Sequence, residues 1–265
     1  RQQNKMTDFP NYPYTEPLIF DSHAHYDDAK FDEIRAELLE ELPSHGVCGV
    51  VNCGCDTASS KAALALAEKY PYFYAAVGIH PDNIGGGEVT EIEDLARRKK
   101  CVAIGEIGLD YYWVDDNKEQ QRALFEEQLV LANRLNLPVI VHDREAHADT
   151  LELLKKHRPK GVVHSFSGSA EMAKEIFNLG MYIGIGGVLT FKNAKKLPEI
   201  AAALPSDRFL LETDAPYLAP VPYRSKINNS ALILLVAEKL AELRNTDCES
   251  ILRSSFENAE KIFGI

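Results

Sequence analysis

No apolar run in this chain approaches the roughly 18 residues that a membrane-spanning helix needs, which excludes a helical membrane protein at the outset. Residues 1–17 are polar and proline-containing, without the apolar core of a signal peptide. Met6 reads as the native start, residues 1–5 as an expression remnant or upstream extension, and the cytoplasm as the location. Cysteine is scarce and irregular: Cys48, Cys53, Cys55, Cys101 and Cys248 make an odd count with no framework, which excludes a disulfide scaffold and points to reduced thiols. Cys53-Gly54-Cys55 lacks the two-residue spacer of a zinc knuckle or redox motif, so no direct chemistry is expected of it. The glycine triplet Gly85-Gly86-Gly87 is not followed by Lys-Ser/Thr and reads as a loop rather than a phosphate cradle. Positive charge is also short: the net charge is −11. A protein that holds nucleic acid chiefly by neutralising phosphates is therefore not expected. A nuclease remains open, because bound divalent cations reverse the local sign of charge. Internal repeats, low-complexity tracts and linkers are absent too, which argues for a single domain over residues 18–265 behind an N-terminal extension, residues 1–17.

What is present is an alternation. Hydrophobic residues make up 45% of the chain, enough for one sizeable core. Eight short apolar runs read as strands: residues 18–21, 46–52, 73–78, 101–105, 138–142, 161–164, 181–185 and 209–212. Most are β-branched and continuous rather than alternating, as strands buried on both faces should be. Helical patterns lie between them at 29–42, 57–69, 89–99, 118–135, 145–157, 170–179 and 194–204, with two more at 230–243 and 247–262. Asp56 is placed to cap the second of these. Eightfold strand–helix alternation predicts an α/β fold, a (β/α)8 TIM barrel. An open doubly wound sheet is the other arrangement this order allows.

Polar residues of one chemical type fall where the apolar runs stop. In Asp21-Ser22-His23-Ala24-His25, two imidazoles two residues apart share one face of the first strand. Glu106 follows the fourth run, His142 the fifth, His164 the sixth and Asp214 the eighth. Barrel active sites are built at the C-terminal strand ends. Four histidines and two carboxylates exceed the three protein ligands of a simple catalytic zinc site. They suffice for two ions, with Glu106 the best bridge because a carboxylate has two oxygens to share. Two such ions clamp the attacking and leaving oxygens of a displacement. Histidine-rich ligation suits zinc or manganese, and phosphoryl chemistry often uses magnesium.

These residues sit in longer motifs: Asp21 to Asp27, Gly78-Ile79-His80-Pro81, Gly105 to Tyr112, Leu137 to His142, His164 to Gly168, and Leu211 to Pro220. In sequence and order they resemble the TatD family of metal-dependent deoxyribonucleases, within the amidohydrolase-like barrels. The resemblance runs from about Phe20 to Asn228. It implies a (β/α)8 barrel that hydrolyses phosphodiester bonds of DNA through a metal-activated water. It implies that His23, His25, Glu106 and Asp214 hold one cation and Glu106, His142 and His164 the second. Asp214 would take the proton of the water, with Glu106 also in the catalytic set. The chain departs from the family pattern in two places. Asp82 stands where a histidine is common. Ser225, Asn229 and Ser230 replace a glycine, a glutamate and a proline. All six ligand positions are kept, so the departures bear on specificity or helix entry.

Substrate contacts are expected from His80 and Arg144 at the same mouth and from Arg224 and Lys226 on the loop after the eighth strand, each with a structural alternative. Tyr111, Tyr112 and Trp113 offer stacking on bases or local packing. His45, His147 and His157 read as solvated. DNA binding should be weak and transient, with no membrane partner and a monomer as the default state. Fold alone does not choose the chemistry. Hydrolysis of a small ester, amide, lactone or aminoacyl-tRNA ester by the same ions is a second reading. A scaffold with a retired site is a third, disfavoured by the complete ligand set.

Overall fold

The computed structural model describes residues 9–113 and 116–265. Met6 and residues 1–5 lie outside them, as does the first part of the N-terminal extension. Within them the expected eight strands form, all parallel and paired in sequence order: β1 (Ile19–Ala24), β2 (Val47–Cys53), β3 (Phe73–Val77), β4 (Cys101–Asp110), β5 (Val139–Arg144), β6 (Gly161–Val163), β7 (Tyr182–Ile185) and β8 (Phe209–Leu211). The helices are α1 (Arg35–Glu41), α2 (Thr57–Lys69), α3 (Val89–Ala96), α4 (Lys118–Leu135), α5 (His147–His157), α6 (Ala170–Asn178), α7 (Leu197–Ala202), α8 (Ile233–Arg244) and α9 (Cys248–Phe263). The architecture is the (β/α)8 barrel, a single domain. Among the described residues no helix is long and apolar enough to cross a membrane.

Two buried layers explain the continuous apolar strands. One packs strands against the surrounding helices. The other takes residues from all eight strands, including Phe20, Val51, Ala76, Ala103, Ile140, Val162, Tyr182 and Leu210, with Ala259 and Phe263 of α9 packed onto them. It fills the barrel interior, so the barrel is a packed core rather than a pore. Strand periodicity then carries the inward face up to the polar end. Ile140 leads to His142, Val162 to His164, and Leu210 through Glu212 to Asp214.

Helix ends follow local chemistry. Asp56 caps α2, its carboxylate accepting from the Ser59 N–H at 2.7 Å. Asp247 does the same for α9 through Ser250 at 2.8 Å. The predicted helix at 29–42 instead divides into a 3-10 turn at Ala29–Phe31 and α1. Residues 9–17 pack on the barrel wall. Phe9 stacks on His45 at 4.0 Å, and the Tyr12 hydroxyl accepts from Leu18 N–H at 3.0 Å.

The largest departure from expectation is β4, which does not stop at Gly105 but runs on to Asp110. In the fold Gly108 stays in the strand, opposite His142 of β5, at a φ of 146°. A Cβ there would meet the His142 carbonyl oxygen at 1.9 Å. The glycine is thus what lets β5 approach closely enough for pairing to continue. Gly108→Ala should push the strands apart and lower the unfolding free energy by at least about 2 kcal/mol. An unchanged urea midpoint would refute this.

Candidate metal centre

The six predicted ligands meet at one carboxylate. Glu106 is 3% exposed and lies midway along β4. Its Oε2 is 3.2 Å from Nε2 of both His23 and His25. Its Oε1 is 2.9 Å from His142 Nδ1 and 2.8 Å from His164 Nε2. Asp214 closes the first group, with Oδ1 3.5 Å from His23 Nε2 and 3.4 Å from His25 Nε2. One oxygen thus faces each group of ring nitrogens. The His23 and His164 rings stack between the groups at 3.8 Å.

The supports behind two of these rings, His25 and His142, fix their tautomers. His25 Nδ1 lies 2.9 Å from the Cys53 carbonyl, which can only accept, so Nδ1 carries the proton in the neutral ring and Nε2 its lone pair. His142 is held the opposite way round: Nε2 bonds the Asp110 carboxylate at 2.8 Å, leaving Nδ1 aimed at Glu106. Lone pairs of neutral rings and of a carboxylate therefore point at shared positions about 3 Å across. Such a donor set is repulsive unless a proton or a cation stands between its members. Nitrogen and oxygen donors of this kind fit a divalent ion such as zinc or manganese.

In the absence of an ion the field gathers protons. Burial opposes charge on His142, but Asp110 and Glu106 push it up to about 9. Burial likewise opposes charge on His164, and Glu106 and Glu212 carry it well above the usual imidazole range. Burial would raise Glu106, yet His164, His23 and His80 hold it well below an ordinary carboxylate. Burial also works against an ionised Asp214, which His25, His23 and His164 keep low.

His80 joins the group, 3.4 Å from Glu106 Oε1. Its Nδ1 accepts the Asp82 N–H at 3.1 Å, so its Nε2 carries the proton and faces the centre as a donor. Arg144 lines the same cavity of about 650 Å³. Arg224 and Lys226 do not: their charged groups lie over Phe191 at 3.6 Å and over Tyr223 at 5.5 Å. The mouth is acidic, with Asp27, Asp28, Asp56, Asp82 and Asp143 in its lining. Several of these serve the fold locally. Asp56 caps α2, and Asp143 accepts from Thr150 at 3.0 Å and pairs with His147 at 2.6 Å.

Several contributors escaped the sequence reading. Asp110 is four residues beyond Glu106 on the same strand, a spacing that places both on one face. Glu212, whose Oε1 accepts the Ser165 N–H at 2.6 Å, faces His164 Nδ1 at 3.6 Å. The Cys53-Gly54-Cys55 pair sets its sulfurs 3.6 Å from His23 Nδ1 and 3.9 Å from His25 Nδ1. Nothing in their spacing signals this, since the contact spans some 30 residues.

Comparison with known proteins agrees with this picture. The sequence profile described as TatD related DNase matches residues 20–264. An uncharacterized metal-dependent hydrolase, YabD of Bacillus subtilis, is 39% identical over 94% of this chain and 100% of its own. The 3'-5' ssDNA/RNA exonuclease TatD of Erwinia tasmaniensis is 32% identical over 93% of this chain and 100% of its own. The crystal structure of YjjV, a TatD homolog from Escherichia coli, superposes with a TM-score of 0.88 at 35% identity, covering 94% of this chain and 99% of that one.

Asp110→Asn should fold normally and bind a divalent cation roughly 10–100-fold more weakly, as read by metal content after dialysis against graded chelator. Full retention would remove Asp110 from the support. Cation binding should also release protons at neutral pH, because His142 holds one up to about 9. Affinity then rises with pH toward that value and levels off above it. Binding heats that do not depend on the buffer's ionisation enthalpy would contradict the displacement.

Proposed function

The chain belongs to the family of TatD-related DNases and is a metal-dependent hydrolase of that kind; from this footing we propose that it cleaves phosphodiester bonds of nucleic acid, DNA first. One observation carries the reading: a single buried carboxylate presents each of its oxygens to a separate set of imidazole nitrogens. His23, His25, Glu106 and Asp214 would hold one divalent cation, and Glu106, His142 and His164 the other. When bound, such a pair supplies the positive charge that acidifies a water and offsets charge on the phosphate and leaving oxygens.

The remaining work falls to the chain's own groups. Asp214 lies on the cavity side with its side chain 20% exposed and its pKa lowered against burial by the imidazoles, so it is an ionised base at neutral pH. It takes the proton of the attacking water. His80 directs its Nε2–H toward the centre and donates to a phosphate oxygen. Arg144 pairs with a phosphate at the rim. Arg224 and Lys226, outside the cavity lining, would touch nucleotides further along the strand.

Manganese, zinc and magnesium are the candidate ions. The protein is read as a cytoplasmic monomer whose free thiols suit a reducing compartment. The Erwinia relative's name makes a single strand the first substrate to try. The acidic mouth favours a second reading, hydrolysis of a small ester, amide or aminoacyl-tRNA ester, whose leaving group carries less negative charge.

Asp214→Asn should keep its fold by circular dichroism and lose at least about a hundredfold in turnover of a fluorescent single-stranded oligonucleotide. Wild-type protein should lose the same activity in chelator and regain it with added manganese. Oligonucleotide left intact while a generic carboxylate ester is turned over would transfer the proposal to the second reading. Undiminished turnover by Asp214→Asn would remove that residue from the chemistry.

A further inference from the structure

We propose that Tyr112 and Trp113, backed by Arg144, form a stacking platform for an unpaired nucleobase at the edge of the metal centre; this rests on the nucleic-acid reading of that centre. The run Tyr111-Tyr112-Trp113 divides in the fold. Tyr111 is a packing residue, its hydroxyl donating to Asp149 at 2.7 Å and its ring lying under Lys118 at 4.7 Å. Tyr112 and Trp113 turn the other way. At 54% and 66% they are the most exposed of the large hydrophobic side chains among the described residues. Scattered exposed apolar residues are ordinary. Two adjacent aromatic rings, set edge to face at 4.7 Å and 90°, are a built surface.

The surface is tied to the reaction centre by a single carboxylate. Asp110 accepts the N–H groups of Tyr112 and Trp113 on Oδ1, at 3.0 and 3.4 Å, and holds the His142 ring on Oδ2 at 2.8 Å. Tyr111 N–H also donates to the Arg144 carbonyl at 2.9 Å. A base resting on the platform is therefore held at a set distance from the bond to be cleaved.

Arg144 joins platform and cavity. It follows His142 by two residues on the same strand, so both side chains share a face. Its guanidinium lies 4.0 Å over the Tyr112 ring and 5.3 Å from the Trp113 ring, and it lines the cavity. It covers a face of the tyrosine, while the indole keeps most of its surface open to a ligand. A planar guanidinium beside aromatic rings suits a base on one side and a phosphate on the other.

Charge makes such a platform necessary. Net charge is −11, and apart from the histidines Arg144 is the one cationic residue in the cavity lining among the described residues. Side chains of the lining therefore add little phosphate neutralisation beyond what the two cations would supply. Base stacking does not depend on the sign of the protein's charge, and it tolerates any sequence because every base has a π-face. Double-stranded DNA hides those faces, so the platform selects single strands or frayed ends.

The chain's single tryptophan makes the idea directly testable. Metal-loaded protein is titrated with a hydrolysis-resistant phosphorothioate oligothymidylate, and with an abasic oligomer of the same length and backbone. The oligothymidylate should quench the tryptophan emission, and the abasic strand should bind about tenfold more weakly without quenching. By anisotropy of a labelled strand, Trp113→Leu and Tyr112→Leu should each weaken oligothymidylate by about tenfold. Trp113→Phe, which keeps a ring, should restore most of the affinity. Equal affinity for thymine-bearing and abasic strands would overturn the platform. So would cleavage of the phosphodiester oligonucleotide by protein whose emission never responds, and that result leaves the nuclease reading standing. Failure to bind or cleave any oligonucleotide would remove both.

Discussion

The Asp21 carboxylate closes the barrel. β8 is three residues long, and it meets β1 through isolated contacts rather than a full ladder. At that seam Asp21 Oδ1 accepts the N–H groups of His23 at 3.2 Å and Thr213 at 3.0 Å, and Oδ2 accepts the hydroxyls of Thr213 at 2.6 Å and Ser230 at 2.7 Å. Above it Asp214 N–H reaches the His23 carbonyl at 2.9 Å and His25 N–H the Ala215 carbonyl at 2.8 Å. Three of the candidate ligands, His23, His25 and Asp214, are therefore placed by the same bonds that join the last strand to the first. Burial pushes Asp21 up to about 7, against the pull of Ser230 and Thr213. A buried acid is tolerated here because its acceptor sites are filled.

The second constraint is charge. Glu106 carries a buried negative group into the midst of five imidazoles; behind them a carbonyl bonds His25 and a carboxylate bonds His142, while a sulfur and a carboxylate lie 3.6 Å from His23 and His164. With these supports in place, the free nitrogens of His25 and His142 look inward beside the Glu106 oxygens, an arrangement that favours positive charge at the centre. Asp214 adopts φ 60° and Ser165 φ 44° beside this site, left-handed conformations that cost energy for residues with a side chain. Both are held by the surrounding packing at points where a ligand or its support must be aimed. The acidic mouth extends the same logic outward: its carboxylates serve caps and turns, and cations within reverse the sign that a substrate meets.

Much of this was legible in the linear chain. Continuous apolar runs announced strands buried on both faces, and the eightfold alternation of period announced a strand–helix order that a barrel satisfies. Ligand-type residues directly after those runs announced a centre at one end. The motifs around them resemble a known family, and the sequence profile of that family spans nearly the whole chain. The departures at Asn229 and Ser230 acquire a reason only in three dimensions. Asn229 caps the turn that leads into α8, and Ser230 sits fully buried between Asp21 and the Tyr26 hydroxyl, 2.7 Å from each. A proline at 230 would have neither the hydroxyl nor the N–H that donates to Tyr26.

The linear chain by itself determined most of the strands, an eightfold strand–helix order and the six candidate ligand positions, because hydrophobic period and strand-end placement are local properties; tertiary contacts at the Asp21 seam decided that the sheet closes as a barrel rather than lying open. Tertiary structure alone decided that Glu106 faces two ways, that Asp110, Glu212, Cys53 and Cys55 stand behind the rings, and that Arg144 rather than Arg224 or Lys226 enters the cavity. It also parted Tyr111 from its two aromatic neighbours. Each of these depends on contacts between segments far apart in sequence. The pattern of one strand carries no information on how closely, or in which rotation, the next will lie.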